Sequence, residues 1–390
     1  MQFGLTETQQ TLKNTTRQFL GAECPSSEVR RLIESDTAFD SALWKKMADQ
    51  GWMGILIPEE YGGFGMGLVE MAAVLEEMGR ALLPGPYLST VLLAGSVIQH
   101  AGSDAQKQQY LGAICRGEAK ATVAFLEESA SWSPERVRMH AYADSKGYVL
   151  SGNKRFVPDA AVADFVICAA RLDGELALFI VPSNASGMAA RPTPALDGTR
   201  KLYELMFDSV PVLESAVLAK GDRALGAIEH AFAVSIVGLV AEMVGGMQRL
   251  LEIAVEYAKT RKQFGRPIGQ FQAVQHMCAD MLVWSESSRS AAYFAAWAMS
   301  EETPEAVTAV SVAKAYASDA YREVGNRAIQ VHGGMGFTWE NDVHLYYRRA
   351  KGSEIAFGDA TWHRERIAKL VIDRQPAGTA PEQGSLVAVS

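Results

Sequence analysis

The sequence predicts an α+β protein in three parts: an N-terminal α-helical domain over residues 1–121, a middle antiparallel β-domain over 122–222, and a C-terminal four-helix bundle over 223–375. Three observations predict it. Apolar residues recur at helical spacing in the first and last parts of the chain. Between them lie short runs rich in β-branched and aromatic residues, punctuated by Gly, Asp, Pro and Ser. The last part also holds four long helical segments, enough to face one another as a bundle.

Each element follows in order. Thr6 is placed to cap a helix through TETQQTLKNTTRQFL. A second helix, SALWKKMADQGWMGI, stops near glycine, and IPEEYGGFGMG carries turn chemistry. VEMAAVLEEMGRAL returns to the helical period and ends before the Pro-Gly-Pro at 84–86. A further helical stretch runs from Tyr87, breaks near Gly102 and continues towards Cys115. Strands are expected at ATVAFLE, YVLSG, DFVICAAR, LALFIVP and LYELMFDSV. The bundle segments are 223–260, 271–300, 304–331 and 359–373, with Pro304 where a first-turn proline belongs. Residues 376–390, with Pro, Gly, Ala and Ser, are expected to form a flexible tail.

Composition narrows the function. The chain has 390 residues, 48% of them hydrophobic and 21% charged, which is ordinary for a protein with a large core. A formal net charge of −8 argues against a general nucleic-acid surface. The local cluster Arg348, Arg349 and Lys351 still suits a small anionic ligand. Cys24, Cys115, Cys168 and Cys278 form no C-x-x-C pair, so a reduced, cytoplasmic protein is the simplest reading. The start, MQFGLTETQQ, lacks a basic-then-apolar signal pattern. The near-apolar run from Ala231 to Gly246 is shorter than a membrane span and contains a Glu, so it is expected as a buried core helix. No Ser/His/Asp triad, P-loop or metal cluster competes for attention.

Local motifs sharpen the reading. EYAKTRKQFGRPIGQFQAVQH (256–276) and AIQVHGGMGFTWEND (328–342), with IPEEYGGFG and LSGNKRFV in order and spacing, resemble the signatures of the acyl-CoA dehydrogenase family over residues 5–373. The resemblance implies an FAD cradle shared between two subunits, a homodimer or a tetramer, and a place in lipid metabolism. It implies that Arg261 neutralises the FAD pyrophosphate, as a permanently charged fork of donors suits. Phe264 and Gln272 would pack against and hydrogen-bond the cofactor. Gln330, Gly333 and Gly334 would meet the same FAD from the neighbouring subunit, with glycine allowing close backbone approach. Taken singly, these residues have plainer readings. Arg261 suits a helix-end cation, Gly333 and Gly334 a helix cap or turn, Gln330 an exposed helix position, and His332 a structural role.

In the β-domain, LSGNKRFV aligns with a family stretch that often carries Trp and Thr beside the flavin ring. Here Phe156 can supply an aromatic wall. Pro158 has neither hydroxyl nor N–H, so one usual flavin hydrogen bond is missing. VAFLEESASWS stands where relatives have a Thr-Glu-Pro-Gly run, and only Glu127 is retained.

Family chemistry is the α,β-dehydrogenation of an acyl-CoA thioester to the 2-enoyl-CoA, with a carboxylate as the base. The usual position of that base is a Tyr-Glu-Gly-Thr turn before the last helix. This chain reads Ala356-Phe357-Gly358-Asp359, so the glutamate is absent. A second family position, on the helix opening the last domain, falls on Ser235. Two candidate bases remain. Glu242 is the sole ionisable group in the apolar stretch VSIVGLVAEMVGG, two turns past Ser235. Its plainer reading is a buried partner of an Arg or Lys. Asp359 follows the lost glutamate, and its plainer reading is a helix N-cap. Glu354 is a weaker third candidate.

Three functions follow as expectations. The first is a working dehydrogenase with a relocated base, serving an electron-transferring flavoprotein or a similar acceptor. The second is a non-catalytic or half-catalytic subunit in a heterotetramer with a paralogue. The third is a flavoprotein acting on a non-thioester substrate such as a nitroalkane. Acyl-chain length is not legible, because pocket depth depends on packing between helices.

Overall fold

Thr6 caps the first helix in the computed structural model of the protein, which describes residues 4–373. The Thr6 hydroxyl accepts the Gln9 N–H at 3.3 Å and the Gln9 side chain accepts the Thr6 N–H at 2.9 Å, a capping box. The tail expected over 376–390 lies outside the described residues.

The N-terminal part packs α1 (Glu7–Glu23), α2 (Ser26–Glu34), α3 (Ser41–Asp49) and α4 (Leu68–Arg80). A π-helical turn over Leu88–Ala94 then leads into α5 (Gly95–Ala101), and α6 (Asp104–Cys115) follows the break at Gly102. IPEEYGGFGMG is a compact loop with Gly62 and Gly65 at positive φ.

The middle part is a sheet of β1 (Ala121–Ala124), β2 (His140–Asp144), β3 (Gly147–Pro158), β4 (Phe165–Leu172), β5 (Glu175–Pro182), β6 (Met188–Thr193), β7 (Leu202–Leu213) and β8 (Val217–Lys220). Its order is β6-β7-β3-β2-β4-β5-β8, with β1 pairing β4. The sheet is mainly antiparallel, as expected. The exceptions are β1, which runs parallel to β4, and one parallel β2–β4 pairing. The β3–β7 register shifts between Lys154 and Val157, a bulge that re-aims Phe156.

The C-terminal part is organised on α7 (Asp222–Thr260), which packs against α4, α8 (Gln272–Ser300) and α9 (Ala306–His332). It closes with α10 (Val343–Ile355) and α11 (Ala360–Val371). α10 is not among the four segments read from the sequence. Its polar residues weaken the apolar period, and its burial comes from contact with α7 and α9. Pro304 precedes α9 instead of opening it, since the helix begins at Ala306. α7 is long and apolar enough to cross a membrane by length and composition, but 78% of its apolar window is buried inside the protein. A Cβ on Gly245 would stand 1.7 Å from the Glu76 carbonyl oxygen, and one on Gly79 would stand 1.9 Å from that of Glu242. These glycines therefore let α4 and α7 touch.

Arg349, 3% exposed, joins the three parts. From α10 its guanidinium donates to Thr199 Oγ1 at 2.8 Å and to the Leu83 carbonyl at 3.0 Å, and it stands 3.0 Å from Asp197.

Candidate functional site

At the far end of α7 the chain turns into a tight hairpin. Arg261 caps the helix, its N–H donating to the Tyr257 carbonyl at 2.8 Å. Two short strands, β9 (Lys262–Gln263) and β10 (Arg266–Pro267), pair antiparallel around Phe264 and Gly265. Both turn residues have positive φ, 53° and 80°, as a two-residue hairpin of right-handed twist requires. Phe264 is 91% exposed. The Arg266 guanidinium stacks 4.2 Å from the Phe271 ring, and Gln272 opens α8 at the surface. Arg261 is exposed and makes no ion pair among the described residues. The hairpin thus presents a free permanent cation, a bare aromatic ring and an amide to whatever docks on it.

The end of α9 lies beside it. His332 is buried, stacks on Tyr257 at 4.3 Å, and its Nδ1 is 2.8 Å from the Ala328 carbonyl. Burial lowers its pKa, so its role is packing. Gln330 is exposed one turn earlier. Gly333 sits at φ 59°, ψ −140°, a conformation essentially reserved for glycine. No atom lies within 4 Å of a Cβ built on Gly333 or Gly334. The backbone there is bare, as close approach of a phosphate-bearing ligand needs. The Tyr257–His332 stack sets both motifs at one end of a single chain.

The other candidate wall is at the opposite end of α7. Phe156, Pro158, Phe125, Trp132, Phe232 and Phe357 line a cavity of about 30 Å³. Phe357 packs on Trp132 at 4.8 Å and on Phe232 at 5.7 Å, and Phe125 meets Phe232 edge-on at 4.9 Å. The space holds a water or two, not an acyl chain. From Phe232 to Thr260 α7 runs roughly 40 Å at ~1.5 Å per residue. That is farther than one dinucleotide extends. The aromatic wall and the Arg261–Gly333 end of one chain are therefore too far apart to touch one dinucleotide together.

Phe357 is held firmly. It has φ 57° and is buried. Lys314, fully buried on α9, donates to the carbonyls of Gly358 at 2.9 Å and Glu354 at 3.0 Å. His363 Nε2 lies 3.1 Å from the Phe357 carbonyl oxygen. Burial lowers the Lys314 pKa to about 7 and that of His363 to about 3, the latter helped by the nearby Lys314 charge.

The carboxylates weighed as bases stand elsewhere. Glu242 pairs with Arg200 and lies 3.8 Å from Arg349, so its charge is matched by two guanidiniums. It does not line the aromatic cavity, being about 15 Å beyond Phe232 along the helix. Asp359 is the N-cap of α11, its side chain accepting the Trp362 N–H at 2.8 Å. Glu354 pairs with Arg322 and with Lys351. For Glu242 and Asp359 the geometry favours the plainer, structural reading over the catalytic one, and Glu354, 14% exposed at its side chain, is a paired carboxylate and not a solvated one. Glu127 is likewise engaged. Burial opposes its charge, yet Lys154 at 2.6 Å and the amides of Met139 and Arg138 hold its carboxyl below the usual range.

Sequence reasoning missed three of the residues that matter here. Trp132 lies in the segment noted only for departing from the family pattern. Phe232 and Lys314 sit on helix faces whose destination the periodicity does not give. A lysine on the apolar stripe of SVAKAYASDAY was the available clue.

Comparison with known proteins agrees with this architecture. Three family profiles match: "Acyl-CoA dehydrogenase, N-terminal domain" over residues 6–118, "middle domain" over 122–210 and "C-terminal domain" over 225–372. The chain is 30% identical to the acyl-CoA dehydrogenase IpdE2 of Mycolicibacterium smegmatis, over 94% of this chain and 98% of that one. It resembles a chain of the ChsE4–ChsE5 complex from Mycobacterium tuberculosis, with TM-score 0.88 and 30% identity, covering 97% of this chain and 100% of that one. It also resembles a solved FAD-dependent dehydrogenase, with TM-score 0.85 and 27% identity over 95% of this chain and 99% of the other.

Proposed function

The chain belongs to the acyl-CoA dehydrogenase family, whose members are oxidoreductases acting on CH–CH groups, and from that premise we propose that it is the subunit without a base in a paired, FAD-dependent enzyme that converts an acyl-CoA thioester to the 2-enoyl-CoA. The observation that carries this reading is Phe357. It fills the place of the family's base with an aromatic ring packed on Trp132 and Phe232.

The residues present fit the cofactor at both ends. Arg261 would hold the pyrophosphate, Gln272 and Gln330 would offer amides, and Gly333 and Gly334 would let the backbone approach. Phe156 would wall the flavin ring of a second cofactor. FAD, when bound, supplies the two-electron oxidant that takes the β-hydrogen as hydride. The α-proton goes to a carboxylate supplied by the paired paralogue, because Glu242 and Asp359 are engaged in an ion pair and a helix cap. This chain's work is to hold the cofactor of its partner and to keep water from the ring side with its aromatic cluster. Reoxidation falls to an electron-transferring flavoprotein or a similar acceptor. The four unpaired cysteines suit a reducing, cytoplasmic setting.

Two absorbance titrations with an acyl-CoA panel test the reading. The chain alone with FAD is expected to show no flavin bleaching. The chain purified with a base-bearing paralogue is expected to bleach. A yellow, active homotetramer of this chain alone would overturn it.

A further inference from the structure

Asp159 follows Pro158 at the end of β3 and is 5% exposed. Its N–H donates to the Lys201 carbonyl at 2.9 Å, and its Oδ2 lies 2.6 Å from Ser89 Oγ. Ser89 belongs to the π-helical turn over Leu88–Ala94. The contact therefore ties two walls of the aromatic cavity, since Pro158 and Leu93 both line it.

Three observations set this carboxyl apart. The neighbouring buried carboxylates, Asp197 and Glu242, pair with Arg349 and Arg200, whereas Asp159 makes no ion pair among the described residues. Its Oδ1 is buried and meets no donor among those residues. Ser89 Oγ also lies 3.1 Å from the Pro86 carbonyl oxygen, so its single hydrogen faces two acceptors. A proton on Asp159 answers all three. The acid donates to Ser89 Oγ, Ser89 donates to Pro86, and Oδ1 becomes a neutral carbonyl oxygen, far cheaper to bury than an anion.

We propose that Asp159 is a neutral carboxylic acid in the folded chain under mildly acidic conditions, and that its ionisation is a switch that loosens the π-helical turn from the end of β3. On ionisation Ser89 turns its hydrogen to Asp159 and releases Pro86, while charge is left on the unpartnered Oδ1. The charged groups around the site are Arg200 and Lys201 beside β7, Glu242 on α7, Arg349 on α10 and, across Tyr203, Asp36 after α2. Burial pushes the carboxyl up to about 6 from 3.8, against the pull of Ser89, Arg200 and Arg349. Stability from this group is thus complete below about pH 3.8 and is lost as pH rises through about 6.

Infrared difference spectra of the full chain and Asp159→Asn test the protonation. A carboxylic-acid carbonyl band is expected in the wild type at about pH 5, absent at about pH 8, and missing from the variant at both. Asparagine mimics the neutral acid. The folding constant of the wild type relative to Asp159→Asn is therefore expected to fall about tenfold between those two pH values. At the higher pH, amide exchange over residues 86–94 and 157–163 should be faster in the wild type than in the variant, and at the lower pH equal. If Asp159→Asn does not fold, Ser89→Ala carries the assignment, because losing the acceptor shifts the same acid band. No acid band at the lower pH, a band unmoved in Ser89→Ala, or a folded Asp159→Asn whose relative stability and local exchange do not change with pH would overturn the proposal.

Discussion

The rings of Trp132 and Phe357 stand 4.8 Å apart, so the turn before α11 delivers an aromatic plug to the place where the family's base is expected. Phe357 is 5% exposed and braced by Lys314 and His363, which makes the plug part of the core. Phe357→Ala is expected to cost about 3–5 kcal/mol in urea unfolding, the usual cost of emptying a packed aromatic site. The variant should still fail to bleach FAD with any thioester. Bleaching by Phe357→Ala alone would mean that a base already stands in reach.

Arg261 has no ion-pair partner among the described residues and lies at the surface. Arg261→Gln is expected to leave the melting temperature of the unliganded chain unchanged and to weaken flavin retention in the assembled enzyme about tenfold or more, since a charge-assisted contact is lost. Flavin-to-protein ratios after gel filtration measure it. Retention equal to wild type would remove Arg261 from the cradle.

Gly333 is at φ 59°, ψ −140°, with open space around its Cβ position. The cost of Gly333→Ala is therefore backbone strain, not collision, and is about 1–3 kcal/mol. Because the loop escapes that strain by leaving its conformation, flavin retention is expected to fall more than global stability does. Parallel thermal melts and flavin ratios separate the two effects.

Glu242 is 7% exposed and faces Arg200 and Arg349. Glu242→Gln leaves the part-buried Arg200 guanidinium without its carboxylate, while Arg349 keeps Asp197, and a loss of about 3 kcal/mol is expected. A catalytic base would behave otherwise, with full stability and lost turnover in the assembled enzyme. Chemical denaturation alongside a turnover assay distinguishes the two.

His363 titrates near 3 in the folded chain against 6.5 when free, because burial and the Lys314 charge disfavour its protonation. Between these values the unfolded chain binds the proton and the folded one does not. Stability from this group is thus complete above about pH 6.5 and is lost as pH falls towards 3, by at most ~1.4 kcal/mol per pH unit. Unfolding free energies of wild type and His363→Gln, compared from pH 6.5 downwards, are expected to converge on acidification. Parallel curves would contradict it.

Much of the fold was legible because its information is local. Thr6 and Gln9 form a capping box readable from four letters. α7 follows from an apolar period sustained past Gly246, and the strands from short β-branched runs. α10 escaped because a helix buried by its neighbours needs no strong period of its own. Small residues at 238, 245 and 246 suit either close helix packing or a wide pocket, and their contacts with Leu92, Glu76 and Tyr321 decide for packing.

The site divides in the same way. The sequence alone determined the family motifs around Arg261 and Gly333, and the absence of a carboxylate at residue 357. Motif spacing and residue identity are properties of the chain itself. Only the tertiary structure decided that Glu242 meets Arg200 and Arg349, that Phe357 closes on Trp132, and that this aromatic cluster lies roughly 40 Å along α7 from Thr260. Those facts join residues distant in sequence, and their energies depend on burial and on which charge lies opposite, which no single segment contains.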